Sequence, residues 1–276
     1  MPPIFIEPLK IEKLNIAISN LPDSLIGTKI IQLSDLHYDR VHLPEALFQE
    51  AIAACNREQP DLILITGDLV TDSSQTIPDL AVRLQQLNSK FGIYGCLGNH
   101  DSSVPCVRER LITALEKVGI KILVNEVVYP LGNGLALAGL ADYWSRDFNS
   151  SAVFSQIEPN IPRIVLSHNP DSARLLSKYR LDLQLSGHTH GGQVIIPGYG
   201  PAPMLLQQIR KKTPRIIGNY IPLLKKCAPV VQNWQWSEGW HQIGKNQLYI
   251  NRGLGTYFPG RLNCPPEVTV ITLEQQ

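Results

Sequence analysis

Apolar residues in this chain fall into short unbroken runs that stop at polar clusters, and the runs alternate with stretches of helical spacing. Residues 4–18 alternate in part (Ile11, Leu14, Ile16, Ile18) and predict one or two leading strands before a turn at Leu21-Pro22-Asp23. Lys29 to Ser34 (KIIQLS) has the length and composition of a mostly buried strand, and it ends at Asp35-Leu36-His37. Pro44 suits the first turn of a helix reaching about Gln59, with Leu47, Ile52 and Ala53 on its apolar face. Asp61 to Thr66 (DLILIT) repeats the strand pattern and closes at Gly67-Asp68; Leu80, Leu84 and Leu87 then mark a helix over 78–90. Gly92 to Leu97 predicts a third strand, ending at Gly98-Asn99-His100-Asp101, and a helix over about 107–118 stops at Gly119.

The second half uses shorter elements. Strands are expected around 120–124, 127–131 and 135–140, with Gly132-Asn133-Gly134 as a hairpin turn. Arg163 to Ser167 is another buried strand, closing at His168, and Asp171 can cap a helix through about Lys178. Leu181 to Ser186 delivers the turn Gly187-His188-Thr189-His190-Gly191-Gly192, after which 193–196 should continue in β conformation. Runs at 247–252 and 268–273 complete a sheet. Strands alternating with helices, then hairpins, predict an α/β layered architecture with mixed sheets. Each polar cluster lies just past the C-terminal end of a strand, where open α/β sheets place their ligand sites.

Five clusters stand at such ends: Asp35/His37, Asp68, Asn99/His100/Asp101, His168 and His188/His190, and they hold five of the seven histidines. Singly, each is ordinary turn chemistry, because Asp, Asn and Gly cap helices and bend loops. Together they offer carboxylate, amide and imidazole donors without a thiolate, a set that suits Mn, Fe, Zn or Co; the imidazoles argue against Mg. The donors outnumber what a single ion takes. Two ions ~3.5–4 Å apart sharing a carboxylate is the natural solution, and that is a phosphoryl-transfer arrangement.

Composition leaves this picture standing. A chain of 276 residues, 43% hydrophobic and 18% charged, suits one large domain, and its net charge of +1 lacks the basic excess of a nucleic-acid reader. The five cysteines are scattered with no CxxC pair, the pattern of reduced residues in a cytosolic protein. The N-terminus shows no signal-peptide pattern, and no run reaches the ~18 apolar residues of a membrane span. A cytoplasmic protein, at most peripheral at a membrane, is therefore expected.

The DLH at Asp35–His37, the GD at Gly67-Asp68, the GNHD at Gly98–Asp101, His168 and the GHTHGGQ at Gly187–Gln193 together resemble the calcineurin-like metallophosphoesterases. The resemblance spans roughly 29–196, and the ending Asn251–Leu273 looks like a bacterial phosphodiesterase subgroup whose members often carry an N-terminal membrane or export segment. It implies a layered α/β/β/α sandwich of two mixed sheets flanked by helices. It further implies two divalent or trivalent transition-metal ions (Mn, Fe or Zn), with Asp35, His37 and His190 on one, Asn99, His168 and His188 on the other, and Asp68 bridging. His100 would stand near the leaving group without binding metal, with Asp101 orienting it. The implied reaction is hydrolysis of a phosphodiester by a metal-bridging hydroxide. Two divalent ions, two carboxylates and that hydroxide leave a centre of about +1, which attracts a phosphate anion.

One departure bears on substrate. The protein phosphatase branch has an Arg four residues after the bridging Asp, where this chain has Asp72. A carboxylate there would repel a dianionic monoester, which favours a diester or a pyrophosphate. Arg252 and Arg261 could supply replacement phosphate contacts, or be salt-bridged. The alternative substrate is a nucleotide-linked lipid such as UDP-diacylglucosamine, cleaved at its pyrophosphate; a non-catalytic scaffold on the same fold is disfavoured because the ligand set is intact. The segment 199–246 reads as an insertion in a single domain covering 1–276. It holds Arg210, Lys211, Lys212, Arg215, Lys225 and Lys226 among Leu205, Leu206, Ile216, Ile217, Leu223 and Leu224, then Trp234, Trp236 and Trp240. It predicts either a helical lid packed by its apolar face or a basic amphipathic surface that meets anionic lipid or a lipid-linked substrate.

Overall fold

Strands that are apolar on both faces must be covered on both, and the chain does this by stacking two sheets and putting helices outside them. The computed structural model describes residues 4–71, 73–214 and 231–276; Asp72 and the predicted features at Arg215, Ile216, Ile217, Leu223, Leu224, Lys225 and Lys226 lie outside the described residues. The first half runs β1 (Lys10–Ile18), β2 (Lys29–Leu33), α1 (Glu45–Arg57), β3 (Leu62–Thr66), α2 (Ile77–Leu84), β4 (Ile93–Cys96), α3 (Asn99–Ser102), α4 (Pro105–Lys117) and β5 (Ile120–Ile122). The chain continues through β6 (Glu126–Val128), β7 (Ala136–Gly139), α5 (Ser150–Phe154), β8 (Arg163–Leu166), α6 (Ser172–Leu176) and β9 (Leu183–Ser186). It ends with the two-residue strands β10 (Ile195–Ile196) and β11 (Gly200–Pro201), then α7 (Ala202–Lys212), β12 (Gly239–Ile243), β13 (Asn246–Ile250) and β14 (Glu267–Gln275).

The first sheet has the order β1-β14-β2-β3-β4-β5 and the second β12-β13-β9-β8-β7-β6. Both are mixed: β2 to β5 run parallel while β14 opposes β2, and β7, β8, β9 and β13 run parallel while β6 and β12 are antiparallel edges. Alternation along the strands assigns each face. Ile30, Leu62 and Leu64 of the first sheet meet Leu137, Ile164, Leu166, Leu183 and Leu185 of the second in one core. Their neighbours Ile31, Leu33, Ile63 and Ile65 turn outward onto Phe48, Ile52, Leu80, Leu84, Leu111 and Leu115 of α1, α2 and α4. On the other side Ala136, Ala138 and Val165 pack on Val153, Phe154 and Leu176 of α5 and α6. The layers are helix, sheet, sheet, helix, as the resemblance implied.

Two local expectations are corrected. Strand β10 covers only Ile195–Ile196, because His190–Gly192 forms a 3-10 turn with Gly191 left-handed. The segment 199–246 is not wholly an insertion, since Gly239–Ile243 pairs with β13 as an edge strand. In the GNHD cluster Asn99–Ser102 makes one helical turn, too short to leave a periodic signal. Within 199–246, α7 has residues 202–207 half-buried and 208–212 exposed, and none fully buried. No helix among the described residues is long and apolar enough to cross a membrane.

Candidate metal centre

Parallel strands carry their C-terminal ends to one edge, so both sheets deliver polar residues to the same place. From the first sheet, β2 continues into Asp35 and His37, β3 into Asp68 and β4 into Asn99 and His100; from the second, β8 continues into His168 and β9 into His188 and His190. Backbone hydrogen bonds knit these loops together: Asp35 N–H to Gly67 O (2.9 Å), His37 N–H to Asp68 O (2.9 Å) and Gly187 N–H to His168 O (2.9 Å). Asp35, His37, Asp68, His188 and His190 all have positive φ, between 44° and 73°. That region is uncommon for residues with a side chain, and Asn, Asp and His are the types that tolerate it best.

The left-handed turns decide where the imidazoles go. His188 and His190 do not serve one point: two clusters form, Asp35 with His37 and His190, and Asp68 with His168 and His188, each with ligand atoms within 4.8 Å of one another. In the first, His37 Nε2 is 3.1 Å from His190 Nε2, and His190 Nε2 is 3.5 Å from Asp35 Oδ1. In the second, His168 Nε2 is 3.1 Å from Asp68 Oδ2 and 3.3 Å from His188 Nδ1. The same Asp68 Oδ2 is 3.5 Å from His37 Nε2, so it faces both clusters. His100 joins a third grouping with His37 and Asp68, and its ring stands edge-on to His37 at 5.0 Å.

The residues fit metal ions on three counts. A carbonyl can only accept, so His168 donates Nδ1–H to Thr66 O (2.7 Å) and His190 donates Nδ1–H to Gly255 O (3.1 Å), which turns each Nε2 inward. Two nitrogens bound to one ion at ~2.1 Å stand roughly 3.0–3.4 Å apart, the spacing of His37 and His190. The amide oxygen Oδ1 of Asn99 is shut off from solvent and accepts no hydrogen bond, as a ligand oxygen would be before it meets a cation. Burial lowers His37 and His190 below the usual imidazole range and favours the neutral, ligating form. For His168 burial acts the same way but the Asp68 carboxylate outweighs it and raises the group to about 10. Burial raises Asp68, yet the facing imidazoles win and hold it well below the usual carboxylate range.

Two predicted roles are corrected, and Arg252 takes its salt-bridged alternative. Asp101 is fully buried and does not use its carboxylate to orient His100: Oδ1 accepts the N–H groups of Leu69 (2.9 Å) and Val70 (3.1 Å), and Oδ2 that of Gly98 (3.0 Å). It fastens the loop bearing Asp68 to the turn bearing Asn99 and His100. Arg261 is 0% exposed, and its guanidinium donates to Thr256 Oγ1 and to the carbonyls of Arg252, Gly253, Gly255, Cys264 and His190, leaving no route to a substrate phosphate. Arg252 pairs with Glu12 (2.7 Å), Glu238 (3.2 Å) and Glu267 (3.0 Å). Sequence reasoning missed Tyr257, whose hydroxyl lies 2.9 Å from His37 Nδ1. It lies inside the Asn251–Leu273 ending, where the arginines drew attention because phosphate recognition favours them.

A family description, calcineurin-like phosphoesterase, matches residues 28–192. The phosphodiesterase YaeI of Escherichia coli (strain K12) is 32% identical over 98% of this chain and 90% of its own length. An uncharacterized metallophosphoesterase of Bacillus subtilis (strain 168), YkuE, is 31% identical over 98% of this chain and 88% of its own. The UDP-2,3-diacylglucosamine pyrophosphatase LpxG of Chlamydia muridarum is 25% identical over 95% and 88%, respectively.

Close backbone approach yields a test that removes no candidate ligand. A methyl group on Gly187 would lie 1.9 Å from Ser34 Oγ and 2.2 Å from Asp35 Oδ2, so Asp35 would have to move. Gly187→Ala should fold with unchanged far-ultraviolet dichroism yet bind less metal than the parent at equal free metal, by elemental analysis after gel filtration. Parental metal content in a folded Gly187→Ala protein would show that Asp35 is not held there for an ion.

Proposed function

The chain belongs to the calcineurin-like phosphoesterase family, and on that premise we propose that it is a phosphodiesterase using two transition-metal ions, Mn, Fe or Zn. Asp35, His37 and His190 would hold one ion and Asn99, His168 and His188 the other. The observation that carries the reading is Asp68 Oδ2, which stands 3.1 Å from His168 and 3.5 Å from His37 and so faces both clusters. Ions held there would supply charge for the phosphate and an activated water.

The chain's own residues do the rest. Thr66 O, Gly255 O and the Tyr257 hydroxyl fix the rings of His168, His190 and His37. Asp68 is fixed through Oδ1, which accepts the backbone N–H of His100 (2.9 Å). That bond sets the start of α3, from which the partly exposed His100 ring can give a proton to the departing alkoxide. In sequence the chain has Asp72 where the protein phosphatase branch carries an Arg four residues after the bridging Asp, which favours a diester over a dianionic monoester.

A second reading is pyrophosphate hydrolysis on a nucleotide-linked lipid, with α7 contacting the membrane. It is favoured by α7 itself, which buries no residue and ends in Arg210, Lys211 and Lys212, and by the likeness to a diacylglucosamine pyrophosphatase. On this reading the part of 199–246 that precedes β12 is an insertion carried by a single domain, and its membrane contact is peripheral.

Three outcomes are expected. Elemental analysis should find about two ions per chain in the parent and one or fewer in Asp68→Ala; equal occupancy in the two would sink the bridging assignment. His100→Asn should keep its metal but lose roughly 10²–10⁴-fold in turnover of a diester with a poor leaving group, and lose less with an activated aryl ester that needs little protonation. Equal losses, or lost metal, would make His100 structural or a ligand. For the second reading, the protein should co-sediment with anionic but not neutral vesicles at low salt, less so at high salt, and less again when Arg210, Lys211 and Lys212 become Gln; each is worth about 1 kcal/mol near such a surface. No binding to anionic vesicles at low salt would remove the membrane contact.

A further inference from the structure

The turn that follows β7 contributes none of the ligand set, yet it stands against the His188 side of the centre. It is held from several directions. Asp142, 4% exposed, accepts the Trp144 N–H at Oδ2 (3.0 Å) and the Ser145 N–H at its carbonyl (2.9 Å). Asn125 accepts the Ala141 N–H (3.1 Å), and Arg108 of α4 pairs with Asp147 (2.7 Å). On this anchored turn the Trp144 indole is 45% exposed, and its ring centre is 5.0 Å from that of His188 at an interplanar angle of 83°. The other carboxylate oxygen of Asp142, Oδ1, is buried and has no hydrogen-bond partner.

A large aromatic ring that is 45% exposed on an anchored turn leaves apolar surface open to a partner. Its ring lies beside His188, a candidate ligand, so a group attached to a phosphate held at the centre can lie against it. The residues that follow, Ser145, Arg146 and Asp147, are polar, and Arg146 and Asp147 are exposed, so the indole has a polar rim on that side. An acyl chain needs continuous apolar surface; a planar ring needs one aromatic side chain and polar surroundings for its edge groups.

We propose that Trp144 is a specificity-determining residue, a platform on which a planar ring of the substrate's ester group, a nucleobase or an aryl group, stacks while the phosphate occupies the metal centre. The proposal rests on the phosphoesterase reading of that centre and names the group it selects. Asp142 positions the platform through the Trp144 backbone, and its free oxygen can accept from a donor on that ring or from water.

The test uses the full-length, metal-replete protein and binding by titration calorimetry, which does not require turnover. Adenosine 5′-methylphosphonate and ribose 5-methylphosphonate carry the single negative charge of a diester, share sugar and phosphonate, and differ in the base. The parent should bind the adenosine ligand more tightly; Trp144→Ala should weaken it by roughly 5- to 100-fold, the worth of stacking one base, and leave the ribose ligand unchanged, while Trp144→Phe restores most of the difference. Equal affinity of the parent for both ligands would overturn the platform alone, as would a loss in Trp144→Ala that is the same for both or that Phe does not rescue. If neither ligand binds the metal-replete parent, the phosphoester reading falls and the platform with it.

Discussion

The centre depends on burying one carboxylate between two sheets. Asp68 is 2% exposed, and an ionised group in such a place costs several kcal/mol unless it is matched. The match comes from both halves of the chain. The first sheet supplies the His100 N–H and the ring of His37; the second supplies His168. Neither half could hold Asp68 alone. The packing of Ile30, Leu62 and Leu64 on Ile164, Leu166 and Leu185 therefore does more than exclude water, because it sets the distance across which Asp68 reaches. Gln32, fully buried on β2, ties the same seam by donating to Thr66 Oγ1 and to Ser186 O, both at 2.9 Å.

Strain accompanies this arrangement. A non-glycine residue in the left-handed region costs of order 1–3 kcal/mol, and Asp35, His37, Asp68, His188 and His190 all adopt it. Glycine would remove the strain and also the donor, so the conformation persists because the surroundings fix it. Asp35 illustrates how: its carboxylate accepts the His188 N–H at 3.0 Å and the Ser34 hydroxyl at 2.6 Å, and its carbonyl accepts Gly255 N–H at 2.7 Å. The close contacts need Gly98 beside Asp68 and Gly187 beside Asp35, where any side chain would collide. Donors are thus held before any ion arrives, so little ordering remains to be done on binding.

What could be read in the sequence followed from local chemistry. Buried strands betray themselves by unbroken apolar runs, and the residues past their ends offer donors whose type is visible without a structure, so the layers and the gathering of candidate donors at one edge were legible. Asp101 was misread because a carboxylate next to a histidine suggests an ion pair, whereas its partners are N–H groups of Leu69 and Val70, over thirty positions away. Backbone donors and acceptors have no letter in a sequence. Thr66 O and Gly255 O, which orient His168 and His190, were invisible for the same reason. Strand β12 was absorbed into an insertion because its faces are only half-buried, and an edge strand need not show a clean alternation.

Arg252 and Arg261 carry the last step. Arg261 is clamped among the carbonyls of Arg252, Gly253, Gly255 and His190, and thereby joins the loop after β13 to the His188–His190 turn. That loop presents Gly255 O to His190 and the Tyr257 hydroxyl to His37. The two arginines thus serve as supports for donors, and their charge is committed to carbonyls and to Glu12, Glu238 and Glu267. On the proposed reading, Asp35 and Asp68 would help hold two divalent ions, and attraction of the phosphate would fall to the small positive charge left at that centre. A diester brings a single negative charge and is balanced by such a centre. A monoester brings nearly two at neutral pH, and the excess would need a guanidinium that these two residues cannot provide.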